Sequence, residues 1–163
     1  KCRLSSDNFK NIKSLLSKNG SYEYSIEKQT DIYYKVKSGR LKLRIINDKT
    51  SNLIFYNRAD SKVERVSNYL ISSSENFKEL EIILSKQFDI LIRVVKKREI
   101  FIKDNVRIHI DAVKDLGKFL EIEVIYDNLS KAKIQMTNLI DNLNLNKKDF
   151  IKVSYSDLLI NKK

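Results

Sequence analysis

Proline is absent from this 163-residue chain, cysteine and histidine occur once each, and glycine occurs three times. The lone Cys2 has no second cysteine with which to close an internal disulfide, so nothing marks an oxidising compartment. No apolar run approaches the roughly 18 residues that cross a bilayer as a helix, and no secretory signal is visible. The expectation is a soluble, cytoplasmic protein that does not engage a membrane. The absence of proline and the richness in Lys, Asn and Ile reflect an AT-rich genome more than a function. The first residues already read as the middle of a strand, so the N-terminal strand is expected to be truncated before Lys1.

What is present is charge. Charged residues make up 33% of the chain and hydrophobic ones 42%, a globular mix with enough apolar surface for one core. No repeat, linker or low-complexity stretch divides it, and a single domain over 1–163 is expected. The net charge of +11 calls for an anionic partner: nucleic acid, a lipid surface or a phosphorylated small molecule. Nucleic-acid binders carry basic helices or exposed aromatic platforms. Here the cations fall on strands, two residues apart.

The stretch Val106–Val124 shows the pattern best. Arg107-Ile-His-Ile-Asp111 and Leu120-Glu-Ile-Glu-Val124 alternate with period two, and Ala112 to Phe119 reads as the link between them. Arg107, His109 and Asp111 share one strand face, and Glu121 and Glu123 share another. Two solvated strand faces would explain this. However, three carboxylates brought together also need a metal ion or a cationic partner. Elsewhere Arg40, Lys42 and Arg44 share a face, as do Lys96 and Arg98, and Lys1 and Arg3.

The remaining elements read from periodicity and punctuation. Phe9, Ile12, Leu15 and Leu16 form a helical stripe stopped at Asn19-Gly20. Strands are expected at Tyr22–Lys28, Asp31–Val36, Arg40–Arg44 after a Ser38-Gly39 turn, Leu53–Arg58 and Val63–Ile71. Asn47 to Asn52 reads as a polar turn. Ser72-Ser73-Ser74 would cap a helix from about Glu75 to Lys86 that buries Phe77, Leu80, Ile83 and Leu84. Asp89–Lys103 gives one long strand or two, and Asp104-Asn105 a turn. A helix follows over Ser130–Leu143, then a helix or strand over Phe150–Ile160. Seven or eight mostly antiparallel strands with three interspersed helices form an α+β chain and favour a barrel over a parallel sheet. In a closed barrel one face of each strand points inward. Cations crowded there persist only beside water, carboxylates and a multiply charged anion. A triphosphate with a divalent metal fits both halves of that inventory.

Several stretches resemble the CYTH superfamily of class IV adenylyl cyclases, thiamine triphosphatases and inorganic triphosphatases. They include Gln29-Thr-Asp31-Ile-Tyr33-Tyr34, Gly39-Arg-Leu-Lys-Leu-Arg44, Leu53-Ile-Phe-Tyr-Asn-Arg-Ala-Asp60 and Ser67-Asn-Tyr69. Val94-Val-Lys96-Lys-Arg98, Ile108-His-Ile-Asp111, Leu116-Gly117-x-Phe119-x-Glu121-x-Glu123 and Ser154-Tyr-Ser-Asp-Leu158 continue the match in order, nearly end to end. The resemblance implies an antiparallel eight-stranded closed β-barrel, the triphosphate tunnel, with surrounding helices. It implies that Lys42, Arg44, Lys96 and Arg98 bind phosphate, with Arg58 at a position where a cation is usual and Arg40, Arg65 and Arg107 as additions. Asp111, Glu121 and Glu123 would hold Mg2+ or Mn2+ and carry catalysis. Lys1 would close a Glu-x-Glu-x-Lys signature whose glutamates lie upstream.

Each residue also has a plainer reading. His109 has the ordinary pKa of a general base, yet a lone strand histidine serves a structural role as readily. Tyr33, Tyr34, Tyr56 and Phe101 would stack an adenine or pack a core. Gln29 and Asp31 would orient charged neighbours or finish a turn, Cys2 fills space, and Gly117 supplies a tight turn.

The expected function is conversion of ATP to cyclic AMP and pyrophosphate by a metal-dependent lyase. The alternative is hydrolysis of inorganic tripolyphosphate or thiamine triphosphate in the same tunnel. A non-catalytic nucleotide, polyphosphate or RNA binder is the further alternative. It is disfavoured because anion binding alone gains nothing from three carboxylates, and RNA binding would fall steeply with salt. A homodimer is compatible with all of these.

Overall fold

In the computed structural model, residues 1–18, 20–57 and 69–162 are described. The strands are β1 (Cys2–Arg3), β2 (Glu23–Tyr34), β3 (Arg40–Ile46), β4 (Thr50–Tyr56), β5 (Tyr69–Ser74), β6 (Ile90–Lys103), β7 (Val106–Val113) and β8 (Gly117–Val124). The helices are α1 (Ser6–Lys18), α2 (Phe77–Gln87), α3 (Leu129–Asn142) and α4 (Tyr155–Ile160), with a 3-10 turn at Lys147–Asp149. The eight strands form one sheet in the order β1-β8-β7-β6-β2-β3-β4-β5, and the β1–β8, β2–β3, β3–β4, β4–β5 and β7–β8 pairs are antiparallel. The chain divides into two compact units: Lys1–Glu27 with Lys97–Val153, and Lys28–Lys96 with Ser154–Lys163. Strands β2 and β6 contribute residues to both.

In the first unit the apolar parity of the strands meets α1. Ile108 and Ile110 of β7, Leu120 of β8, Phe101 of β6 and Cys2 pack with Ile12 and Leu16 of α1 and with Leu143. Each such aliphatic side chain contributes roughly 1.5–3 kcal/mol of burial. In the second unit Ile32 and Tyr34 of β2 and Leu43 and Ile45 of β3 pack with Leu84 of α2. These cores fix which way β2, β3, β6, β7 and β8 face. With the apolar parity turned inward to the helices, the charged parity is committed to the opposite side of the sheet.

Several sequence expectations are corrected. The expected pair Tyr22–Lys28 and Asp31–Val36 is a single strand, β2, because Gln29 to Tyr34 ladder continuously with Leu41 to Ile46. Ser72, Ser73 and Ser74 do not cap α2; they belong to β5 and pair with Leu53, Asn52 and Ser51, while Asn76 stands at the cap without a side-chain cap bond. Ile83 is exposed rather than buried, as is Leu15 of α1. The link from Ala112 to Phe119 shrinks to three residues, since the ladder runs to Val113↔Gly117. The polar turn at Asn47–Asn52 ends at Lys49, where β4 takes over. The last segment is a helix, α4, and the helices number four rather than three among the described residues. Arg58, Asn19 and the expected strand from Val63, up to β5, lie outside the described residues.

Candidate functional site

The β2–β3 hairpin builds the first charged cluster. Gly39, with φ 66°, sits in its turn, where an added Cβ would lie 2.6 Å from Asn57 Oδ1. Counting outward from that turn places Asp31 opposite Arg44 and Tyr33 opposite Lys42. Because Ile32 and Tyr34 are committed to the core, Asp31 emerges on the cationic face. Arg44 donates to it through Nε at 2.7 Å and Nη2 at 2.9 Å. Lys42 Nζ lies at 3.2 Å and Lys96 Nζ, from β6, at 3.0 Å from Asp31 Oδ2. Lys96 and Asp31 have side chains only 1% and 3% exposed.

One carboxylate therefore faces three cations, and burial denies them bulk water. Burial raises the Asp31 pKa, but Lys42, Lys96 and Arg44 outweigh it and hold the carboxyl well below its ordinary range. The surplus positive charge falls on Lys42. Burial first, then Arg44 and Lys96 against the opposing pull of Asp31, bring its pKa down to about 7. Above it, Tyr33 lies with its ring 5.4 Å from Lys42 Nζ, and burial pushes its hydroxyl pKa well up.

Arg40, the third cation of the β3 face, is engaged differently. Its Nη2 donates to Asp157 Oδ1 at 2.9 Å and its Nη1 to Ser154 Oγ at 2.9 Å. These acceptors form the capping box of α4, in which the Ser154 hydroxyl accepts from Asp157 N–H and the Asp157 carboxylate accepts from Ser154 N–H. Burial alone would raise the Asp157 pKa, but the Ser154 bonds and Arg40 bring it down to about 2. Tyr155 of this helix is buried, its ring 6.0 Å from Lys96 Nζ.

The second cluster stands on β6, β7 and β8. Arg98 Nε donates to Asp111 Oδ1 and its Nη2 to Oδ2, both at 2.7 Å. The same Nη2 donates to Glu121 Oε2 at 2.9 Å. Lys1 Nζ lies 3.5 Å from Glu121 Oε1. Asp111 is wholly buried, and Arg98 is 6% exposed. Burial would raise the Glu121 pKa, yet Lys1, Arg98 and His109 overcome it and hold the carboxyl far below the usual range. Across the hairpin His109 pairs with Glu121 and Arg107 with Glu123. One donor atom each from His109, Glu121 and Glu123 lie within 4.8 Å of one another, a spacing suited to a metal ion.

The structure thus gathers Lys42, Arg44 and Lys96 around Asp31, and Lys1, Arg98, Asp111 and Glu121 around one another, with Glu123 beside Glu121. Arg107 lies exposed on β7, and Arg40 is turned to α4. Arg58 and Arg65 lie outside the described residues. Of the aromatics weighed as base platforms, Tyr33, Tyr34 and Phe101 are buried, and Tyr56 is half-buried. Sequence reasoning left Asp31 between two roles and did not see Asp157. The signal for Asp31 was available: the register counted from the Ser38-Gly39 turn sets it opposite Arg44.

The model of the CYTH domain family matches residues 1–155. No curated protein matches the chain. Among solved structures, the PH1012 protein of Pyrococcus horikoshii OT3 is 25% identical with a TM-score of 0.83, covering 96% of this chain and 95% of its own. A candidate adenylate cyclase of Vibrio parahaemolyticus superposes with a TM-score of 0.75 at 17% identity, covering 97% of this chain and 94% of its own. The Pct1 RNA triphosphatase of Schizosaccharomyces pombe shares the fold at a TM-score of 0.55 and 14% identity, covering 88% of this chain and 65% of its own. With a family match running over nearly its whole length, an eight-stranded sheet and helices, the chain belongs to the CYTH domain family.

Proposed function

We propose that this chain is a triphosphate-processing enzyme of the class IV adenylyl cyclase type, acting on ATP. The observation that carries this reading is the gathering of Lys42, Arg44 and Lys96, all largely buried, around the Asp31 carboxylate. A triphosphate supplies several charges with oxygens spaced for Arg and Lys. The Vibrio parahaemolyticus structure named as a candidate adenylate cyclase is consistent with it. In this reading the sheet closes into a barrel, the chain is one domain, and the charged strand faces line the interior.

The roles follow from the contacts. Lys42, Arg44 and Lys96 bind the β- and γ-phosphates, and the leaving pyrophosphate gains most from them as charge develops on it. Arg98, held by Asp111 at two points, is presented at a fixed angle to a phosphate oxygen. Arg40 positions α4, and through it Tyr155 beside Lys96. The donor atoms of Glu121 and Glu123 fit a divalent cation such as Mg2+ or Mn2+, which when bound would offset phosphate charge and acidify the attacking hydroxyl. In the cyclase reaction the ribose 3′-oxygen forms a bond to the α-phosphorus as the bond from that phosphorus to the bridging oxygen breaks. Pyrophosphate departs and the hydroxyl proton passes to solvent.

A second reading, hydrolysis of tripolyphosphate or thiamine triphosphate, draws support from the aromatics. Tyr33, Tyr34 and Phe101 are buried within the protein, so none of these three is presented as an adenine platform. A hydrolase needs none. Incubation with Mn2+ and each of ATP, tripolyphosphate and thiamine triphosphate separates the readings: cyclic AMP with pyrophosphate supports the cyclase, and orthophosphate supports the hydrolase. No turnover of any of the three would overturn the enzyme reading.

A further inference from the structure

We infer that His109, and not Asp111, is the third protein donor beside Glu121 and Glu123, and that the site in consequence prefers Mn2+ or Co2+ to Mg2+. This rests on the triphosphate reading above and adds to it a ligand and an ion preference.

His109 stands directly opposite Glu121 and diagonal to Glu123, the two relations in which side chains on one face of a hairpin meet. His109 Nδ1 lies 3.8 Å from Glu123 Oε1. Two donors on one ion, with bonds of about 2.1 Å, stand no more than roughly 4.2 Å apart. That separation therefore falls within range, and the donor atoms of the whole group lie within 4.8 Å of one another. Glu121 gives one oxygen to Arg98 at 2.9 Å and faces Lys1 with the other at 3.5 Å, whereas Asp111 is held more closely. Both its oxygens accept from Arg98 at 2.7 Å with the side chain fully buried, so ligation by Asp111 would strip a buried guanidinium of its fixed partner. Asp111 is the positioning residue of Arg98.

Imidazole favours Mn2+ and Co2+ over Mg2+, which prefers oxygen and gives up its waters reluctantly.

The chain contains one histidine, so pulsed EPR of bound Mn2+ identifies the ligand without mutation. In nitrogen-free buffer with tripolyphosphate, the 14N modulation of imidazole should appear, and should change to the 15N pattern in protein labelled at histidine. His109→Gln should abolish it and lower the Mn2+-to-Mg2+ affinity ratio about tenfold or more, while Asp111→Asn keeps the modulation. Mn2+ that binds with no histidine coupling overturns the inference and leaves the triphosphate reading standing. Failure of the protein to bind Mn2+ with tripolyphosphate overturns both.

Discussion

Lys42 carries the most consequential titration in the molecule. With its pKa near 7 in the free protein, it is about half protonated at neutral pH, and a bound polyphosphate favours the protonated form. Affinity for tripolyphosphate should therefore be full below pH 7 and fall as pH rises above it, approaching tenfold per unit. Calorimetric titration of wild type against Lys42→Arg tests this, because a guanidinium stays charged and the difference between the two profiles removes the ligand's own titration. Identical profiles would show that Lys42 does not face the anion. For folding, the sign is reversed. The folded pKa is depressed below the ordinary 10.5, so the unfolded chain binds more protons between about 7 and 10.5, and this group's contribution to stability rises with pH across that window. Asp31→Asn removes the carboxylate that Lys42, Arg44 and Lys96 share. Loss of one partner from a buried ionic group costs about 3–5 kcal/mol. Thermal denaturation should show the variant strongly destabilised, with tripolyphosphate recovering more of its stability than it adds to wild type.

At the scale of elements, α4 shows how six residues can hold a place in the fold. Six residues are too few for an isolated helix, so its start must be fixed from outside, and Ser154, Asp157 and Arg40 do this. Ser154→Ala removes the cap and should cost about 1 kcal/mol, measured as a shift of the urea midpoint with the slope unchanged. A loss of phosphate affinity beyond that of wild type at matched stability would place the helix nearer the ligand than its contacts with Lys96 imply. Acid should loosen the same element. The folded pKa of Asp157 is depressed to about 2 from 3.8, so its contribution is present above pH 4 and disappears as pH falls through 2.

The elements also show what was legible in the residues and what was not. The alternations at Arg40–Arg44, Leu120–Val124 and Lys96–Arg98 announced both the strands and their charged faces, because alternation is a local property. The break imagined within β2 was not local: Gln29 and Thr30 look like a boundary, and only their ladder to Ile46 and Ile45 makes them strand. Ser72 to Ser74 carry the residue type of a helix cap, but pairing with β4 claimed their backbone first. Asp111 was legible as a carboxylate on the charged face, whereas Asp31 stood between orienting its neighbours and finishing a turn. That each is clamped by cations, while His109 stands with the glutamates, depended on cross-strand distances that parity does not give.

For the whole molecule, eight strands joined in one sheet predict one cooperative thermal transition, read identically by circular dichroism and intrinsic tyrosine fluorescence. Two separated transitions would show that the two compact units fold independently. Tripolyphosphate at a hundred times its Kd should raise the stability of the native state by about 2.7 kcal/mol. An RNA of equal charge should do so only at low salt if its contact is with the basic surface.

Strand β6 carries Lys96 into one cluster and Arg98 into the other, with a single residue, Lys97, separating them. A strand behaves there like a two-sided tape on which odd and even places cannot be exchanged. Inserting one residue beside Lys97 leaves the composition and every charge in place, yet turns Arg98 toward the apolar side and brings Glu99 to the face it left. Inserting two restores the facing and lengthens the step between the cations by about 6.6 Å. Chains of this family altered in length at that point should therefore fail at one extra residue. At two they should bind again.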